Sequence, residues 1–192
     1  MCRLVYSLHN RRANKSSPFR VLKGFEVIAC VDVHYKKDGS AQVACLLFED
    51  WSDSKAAKEL TTSVSTVQNY VPGSFYMREL PCIMEILQMV QESIELIIVD
   101  GYVWLSPTKK GLGKHLFDEL GGKTPVVGVA KSFFRDADSV AISVLRGTSK
   151  KPLYVTAEGM DGQEAARLVK NMNGDHRMPT LLKRLDQLTK FS

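Results

Sequence analysis

Three carboxylates occupy places where an ionised acid is poorly solvated: Asp32 inside VIACVDVHY (27–35), Glu79 inside NYVPGSFYMRELP (69–81) and Asp100 closing IELIIVDG (94–101). Each interrupts or ends an apolar run, and an acid there is costly unless a cation or donor groups offset it. Three acids on three separate elements, brought together, make an oxygen-rich site for a hard divalent cation such as Mg²⁺, with Mn²⁺ as a substitute. A cation held beside water and a phosphate is the apparatus of phosphodiester hydrolysis. Lys131 follows the apolar run PVVGVA (125–130), so its ammonium would end a strand near Asp100, within reach of a phosphate. The competing reading of any one acid is a structural pairing with Arg, Lys or a backbone N–H.

The elements that must position these groups follow from the patterning. Phe25–His34 reads as a strand, KKDG (36–39) as a turn and AQVACLLFE (41–49) as a second strand. ELTTSVSTV (59–67), rich in Thr and Val, completes an antiparallel meander. Strand parity places Ile28, Cys30, Asp32 and His34 on one face. A turn at Pro72–Gly73 leads to a helix from Ser74 to about Glu92, with Leu80, Ile83, Met84, Leu87 and Val90 at helical spacing and Glu79 at the edge of that stripe. LIIVD (96–100) reads as a strand buried on both faces. A helix over 113–120, a strand over 125–130, a hairpin over 140–156 and two helices, 162–171 and 179–189, complete the chain. A meander followed by alternating helices and strands predicts an α/β mixed sheet flanked by helices.

At 192 residues, the expectation is one domain over 21–192 preceded by a basic arm over 1–20. A net charge of +5 favours a polyanionic partner such as nucleic acid. The four cysteines have no paired spacing, which points to a reducing compartment, and no stretch reaches the apolar length of a membrane helix. A cytoplasmic monomer is expected, nuclear if the source is eukaryotic. Lys183, Arg184 and Lys190, with Asp186, read as the solvated face of the last helix. His115 reads as a helix-packing residue, and His34 as packed or exposed beside Asp32.

The order VDV (31–33), NYVPG with FYMRELP (69–81), VDG (99–101), VVGVAK (126–131) and HRMP (176–179) resembles the endonuclease V family, from about Phe25 to the C-terminus. The resemblance implies a ribonuclease H-like fold and Mg²⁺-dependent cutting of DNA or RNA near a deaminated adenine, inosine. It makes Asp32, Glu79 and Asp100 the metal-binding catalytic acids and Lys131 the family's motif lysine. It makes Tyr70, Val71, Pro72 and Gly73 the wedge that inserts beside the modified base. Gly111, Leu112, Gly113 and His115 match the stretch whose backbone shapes the pocket for that base, and Arg177 matches a late arginine facing a phosphate or an acid.

The chain departs from the family at Tyr102, where a Gln or His is usual, and at Ser106-Pro107-Thr108, which stand for a His-Pro-Arg. Met160 stands for a His near the metal, with Asp161 beside it as a replacement ligand, and the segment between Phe134 and Pro152 is shorter than usual. Two other readings therefore stand beside the first: a nucleic-acid-binding homologue that no longer cuts, and a nuclease of the same fold acting on a structured substrate.

Overall fold

The computed structural model describes residues 26–65 and 76–191. The wedge residues Tyr70, Val71, Pro72 and Gly73, the Ser74 helix start and the basic 1–20 segment lie outside them. Strand β1 (Glu26–Tyr35) pairs antiparallel with β2 (Ala41–Phe48), which pairs antiparallel with β3 (Lys58–Val64). The β1–β2 turn closes where the Lys36 amide donates to the Ser40 carbonyl at 2.8 Å, with Gly39 at φ +87°, a conformation glycine adopts without strain. The chain then crosses through α1 (Tyr76–Gln88) to β4 (Ser93–Val99) and through α2 (Leu112–Glu119) to β5 (Val126–Ala130). Both strands run parallel to β1. A short hairpin, β6 (Ile142–Val144) and β7 (Leu153–Glu158), adds antiparallel to β5 before α3 (Gly162–Asn171) and α4 (Thr180–Phe191). The sheet order is β3-β2-β1-β4-β5-β7-β6.

Alternation along β1 splits the core in two. Ile28 and Cys30 join Ala44, Leu46, Ile98 and Val129 beneath α3 and α4, whereas Val27, Ala29 and Val31 join Val43, Ile97, Ile83 and Leu116 beneath α1 and α2. Burial of both faces explains why the central strands read as unbroken apolar runs. The mixed α/β sheet expected from the patterning is therefore present. No described helix is long and apolar enough to cross a membrane.

Two boundaries differ from expectation. The first helix ends at Gln88 rather than near Glu92: Met89 and Val90 donate to the carbonyls of Ile86 and Leu87 at 3.1 Å, a tightened last turn. Glu92 is drawn instead to Lys58 at 3.0 Å, and β4 starts at Ser93. The late hairpin is shorter than its apolar run suggests. Past Val144 the chain is organised by Arg146, which is buried and donates to the carbonyls of Lys170 (3.1 Å), Gly174 (3.0 Å) and His176 (2.9 Å). These contacts fix the α3–α4 connection and hence where α4 begins.

Candidate functional site

Register alone brings two acids together. Val31 of β1 is paired with Val99 of parallel β4, so the next residue on each strand, Asp32 and Asp100, lies at the same level. Val99 is in turn level with Gly128 of β5, which places Lys131 just beyond. The Lys131 ammonium donates to Asp100 Oδ2 at 2.5 Å and to Asp186 Oδ1 at 3.1 Å. Asp186 comes from α4, on the face of Cys30 and Ile98. Asp32, Asp100 and Asp186 each offer an oxygen within 4.8 Å of the others.

Asp32 is fixed from two sides. Its Oδ1 accepts from the Val33 amide at 2.9 Å and its Oδ2 from the Thr189 hydroxyl at 3.1 Å. Thr189 is fully buried and ties the end of α4 to β1. Burial, and then the neighbouring charge of Asp100, raise the Asp32 carboxyl above its ordinary range, against the hydrogen bond from Thr189 and the charge of Lys131. Burial would lower the Lys131 ammonium, but its hydrogen bonds and charge contacts with Asp100 and Asp186 raise it instead. Burial likewise pushes Asp186 up, but the ammonium groups of Lys190 and Lys131 outweigh it and hold this acid below its ordinary range.

Glu79 approaches from the opposite face of the sheet, in the first turn of α1. It is 8% exposed, and its carboxyl is pushed up to about 8, first by burial and then by the charges of Asp32 and Asp100. The preceding residue, Arg78, stacks its guanidinium 3.8 Å from the centre of the Tyr35 ring. Glu79 is thus electrostatically coupled to the aspartates without belonging to their close oxygen triad. A divalent cation fits this donor set, because a lysine ammonium already bridges two of the carboxylates and all three present hard oxygen ligands.

Asp186 and Thr189 were not anticipated as part of the site. The charge pattern of the last helix predicts a solvated face for Asp186, and the structure turns it inward toward Lys131 and the other two aspartates. The signal lay in the helix itself: Leu182, Leu185 and Thr189 are buried, and Asp186 follows Leu182 by four residues and precedes Thr189 by three. Of the other charges on that helix, Arg184 pairs with Glu59 at 2.7 Å and Lys190 with Asp186 at 2.7 Å. Arg177, half-buried, is not paired with an acid among the described residues; it donates to the carbonyls of Lys131 and Pro152 and so braces the lysine's backbone. Asp161 caps α3, accepting from the Glu164 amide at 2.9 Å, and lies outside the acid triad.

A cavity of about 450 Å³ opens beside the acids, lined by Tyr76, Glu79, Asp100, Tyr102, Gly111 and Phe134 among others. Leu112 also lines it, while Gly113 and His115 do not. Gly111 is obligatory for steric reasons, since a Cβ there would stand 2.3 Å from the Tyr102 carbonyl oxygen. Gly113 packs under Val103, where a Cβ would meet the valine methyl at 2.6 Å. His115 stacks on Tyr76 with ring centroids 3.5 Å apart and 6° between planes, the packing role its position suggested. Met160 packs, partly buried, against the apolar core.

The family model for endonuclease V matches residues 9–141. An endonuclease V from Nostoc punctiforme is 25% identical over 150 residues, covering 69% of this chain and 67% of that protein. One from Trichormus variabilis is 28% identical over 107 residues, covering 56% of this chain and only 48% of its relative. The chain thus spans about half to two thirds of these proteins' length. Among solved structures, Ciona intestinalis endonuclease V, in complex with a DNA containing an inosine followed by a ribo-adenosine, superposes with a TM-score of 0.73 at 19% identity, covering 90% of this chain and 87% of that one. That likeness is one of fold, and it assigns the mixed sheet to the ribonuclease H-like architecture.

Proposed function

Because the chain belongs to the endonuclease V family, we propose that it is a divalent-metal-dependent endonuclease that hydrolyses a phosphodiester near inosine in DNA or RNA. The observation that carries this reading is the convergence of Asp32, Asp100 and Asp186 within 4.8 Å around the Lys131 ammonium. Asp32, Asp100 and Asp186 would hold Mg²⁺ or Mn²⁺, with Glu79 completing the acidic environment from the other face. When bound, the cation supplies positive charge against the phosphate oxygens and acidifies a water molecule. Thr189 and the Val33 amide keep Asp32 aimed at the site. The Glu79 carboxyl, raised to about 8 first by burial and then by the charges of Asp32 and Asp100, would be lowered by positive charge held beside it. The Lys131 ammonium, which lies between Asp100 and Asp186, would supply positive charge for a phosphate at this site.

The cavity beside Asp100 and Glu79 takes the extruded base, with Gly111 and Leu112 presenting backbone and Tyr102 and Phe134 presenting rings. The Tyr70–Gly73 segment acts as the wedge that replaces the lost stacking. In this reading residues 21–192 act as one nuclease domain, monomeric and cytoplasmic, with the basic 1–20 segment as an accessory arm. The buried, unpaired Cys30, Cys45 and Cys82 suit a reducing compartment.

One observation favours a second reading, a homologue that grips nucleic acid without cutting: Met160, where a metal-side histidine would stand, offers no polar atom and packs on the core. The test is nicking of an end-labelled inosine strand, as DNA and as RNA, with Mg²⁺ and with EDTA. Mg²⁺-dependent cleavage by the wild type, lost in Asp100→Asn, supports the nuclease. Inosine-selective binding without cleavage supports the second reading.

A further inference from the structure

Beyond Lys131 the chain carries two adjacent aromatic residues that no packing requirement explains. Phe133 is 54% exposed and Phe134 36% exposed, among the most exposed large apolar side chains of the described residues. Isolated surface aromatics are common and need no explanation. These two belong to a strip of four rings. Phe134 meets Tyr102 with centroids 6.2 Å apart and 55° between planes, and Phe133 meets Tyr154 at 5.5 Å and 51°. The strip is held rigidly: the Tyr102 hydroxyl donates to the Ser132 carbonyl at 2.8 Å and accepts from the Phe134 amide at 3.2 Å. Tyr154 stands on β7 opposite Ala130, the last residue of β5, so the inner edge of the strip is anchored in the sheet.

Its position matters as much as its exposure. Tyr102 and Phe134 line the cavity that also contains Glu79, Asp100, Lys109 and Lys110. The strip therefore runs outward from the acids, beginning two residues after the lysine that bridges Asp100 and Asp186. Exposed rings beside a phosphate-directed centre, with lysines along one side, are the elements of a single-strand binding surface, because every base has a face to stack and every phosphate a charge to neutralise. A paired duplex hides its base faces and gains nothing from such rings.

We infer that Phe133 and Phe134 form a stacking platform for unpaired nucleotides of the strand flanking the scissile phosphate, which makes single-stranded nucleic acid the preferred ligand. This rests on the nuclease reading for the position of the phosphate; the platform itself is read out separately. Binding of a short labelled strand, DNA or RNA, is followed by fluorescence anisotropy in EDTA, where no cutting occurs, against the matching duplex. The wild type is expected to favour the single strand. Phe133→Ala weakens that binding about tenfold, leaves duplex binding and the melting temperature in place, and Phe133→Trp restores it. A 2-aminopurine beside the inosine is quenched on binding to the wild type and less so with Phe133→Ala.

Equal binding of the single strand by wild type and Phe133→Ala, or no single-strand preference in the wild type, overturns the platform. Nicking assays on the same preparations keep the two ideas apart. A wild type that cuts, together with an unaffected Phe133→Ala, removes the platform and keeps the nuclease. A Phe133-dependent single-strand binder that never cuts keeps the platform and removes the nuclease.

Discussion

Among the described residues the Lys131 ammonium is the one cation that touches two of the triad's carboxylates, and its removal separates structure from chemistry. Both partners are about one-third exposed, so solvent screens the pair, and Lys131→Met is expected to cost only about 1 kcal/mol in the metal-free protein. Mg²⁺ should restore that loss by taking over the neutralisation of Asp100 and Asp186, whereas cleavage should stay depressed because no ammonium remains for the phosphate. Melting curves with and without Mg²⁺, beside nicking rates, check both halves. Glu79 predicts a pH effect of definite sign. Its carboxyl rises from 4.5 to about 8 on folding, mainly through burial, so the folded state holds a proton that the unfolded chain releases within that window. The stability it contributes is complete below the unfolded value and is lost as pH rises through about 8, by an amount on the order of a few kcal/mol. Urea titrations of the metal-free protein between about pH 5 and about pH 9 should show this decline. Glu79→Gln should flatten it without abolishing it, because Asp32 is raised by the same cause. The apolar flanks of Asp32, Glu79 and Asp100 made these acids conspicuous in the sequence. Asp186 was not conspicuous, since it sits among Lys183, Arg184 and Lys190 in a run that looks solvated. Only the docking of α4 on β1 and β2 decides which side of that helix is inside.

At the scale of elements, the site depends on the C-terminal ends of β1, β4 and β5 lying side by side, and Gly128 is where that arrangement has least slack. A Cβ there would fall 2.5 Å from the Gly101 carbonyl oxygen and 2.8 Å from the Val103 amide. Gly128→Ala must push the 101–103 loop outward, and Asp100 with it. A cost of about 1–3 kcal/mol is expected, the usual size for overpacking, with cleavage falling further than stability accounts for. Thermal melting compared with nicking at a temperature where the variant is fully folded would show the disproportion. The strands and helices were largely legible because their apolar periods are clean: β1, β2, β4 and β5 as continuous runs, α1, α3 and α4 as stripes. The end of α1 and the brevity of β6 were not legible. Glu92 is diverted by Lys58, and Arg146 gathers carbonyls from a segment some thirty residues away. Long-range polar contacts of this kind leave no periodic mark on the chain.

For the whole molecule, the acids draw on both layers that cover the sheet, Glu79 from the α1 side and Asp186 from the α4 side, so cation binding should tighten the entire fold. EDTA is expected to abolish cutting. Saturating Mg²⁺, at about a hundred times its dissociation constant, should stabilise the protein by about 2.7 kcal/mol, visible as a higher melting temperature that Asp32→Asn largely loses. The net charge of +5 predicts that nucleic-acid binding weakens steeply with added salt, a slope that anisotropy titrations would give directly. The contact between Thr189 and Asp32 joins residues 157 apart in sequence. That span sets a time order during synthesis. A chain emerging from the ribosome would already carry the acids of β1, α1 and β4, yet it would lack Asp186 and the Thr189 clasp until α4 had been made and docked. A half-made copy would therefore lack one acid of the triad and the clasp on another, and a chain cut off after Asn171 should remain inert in a nicking assay at any Mg²⁺ concentration.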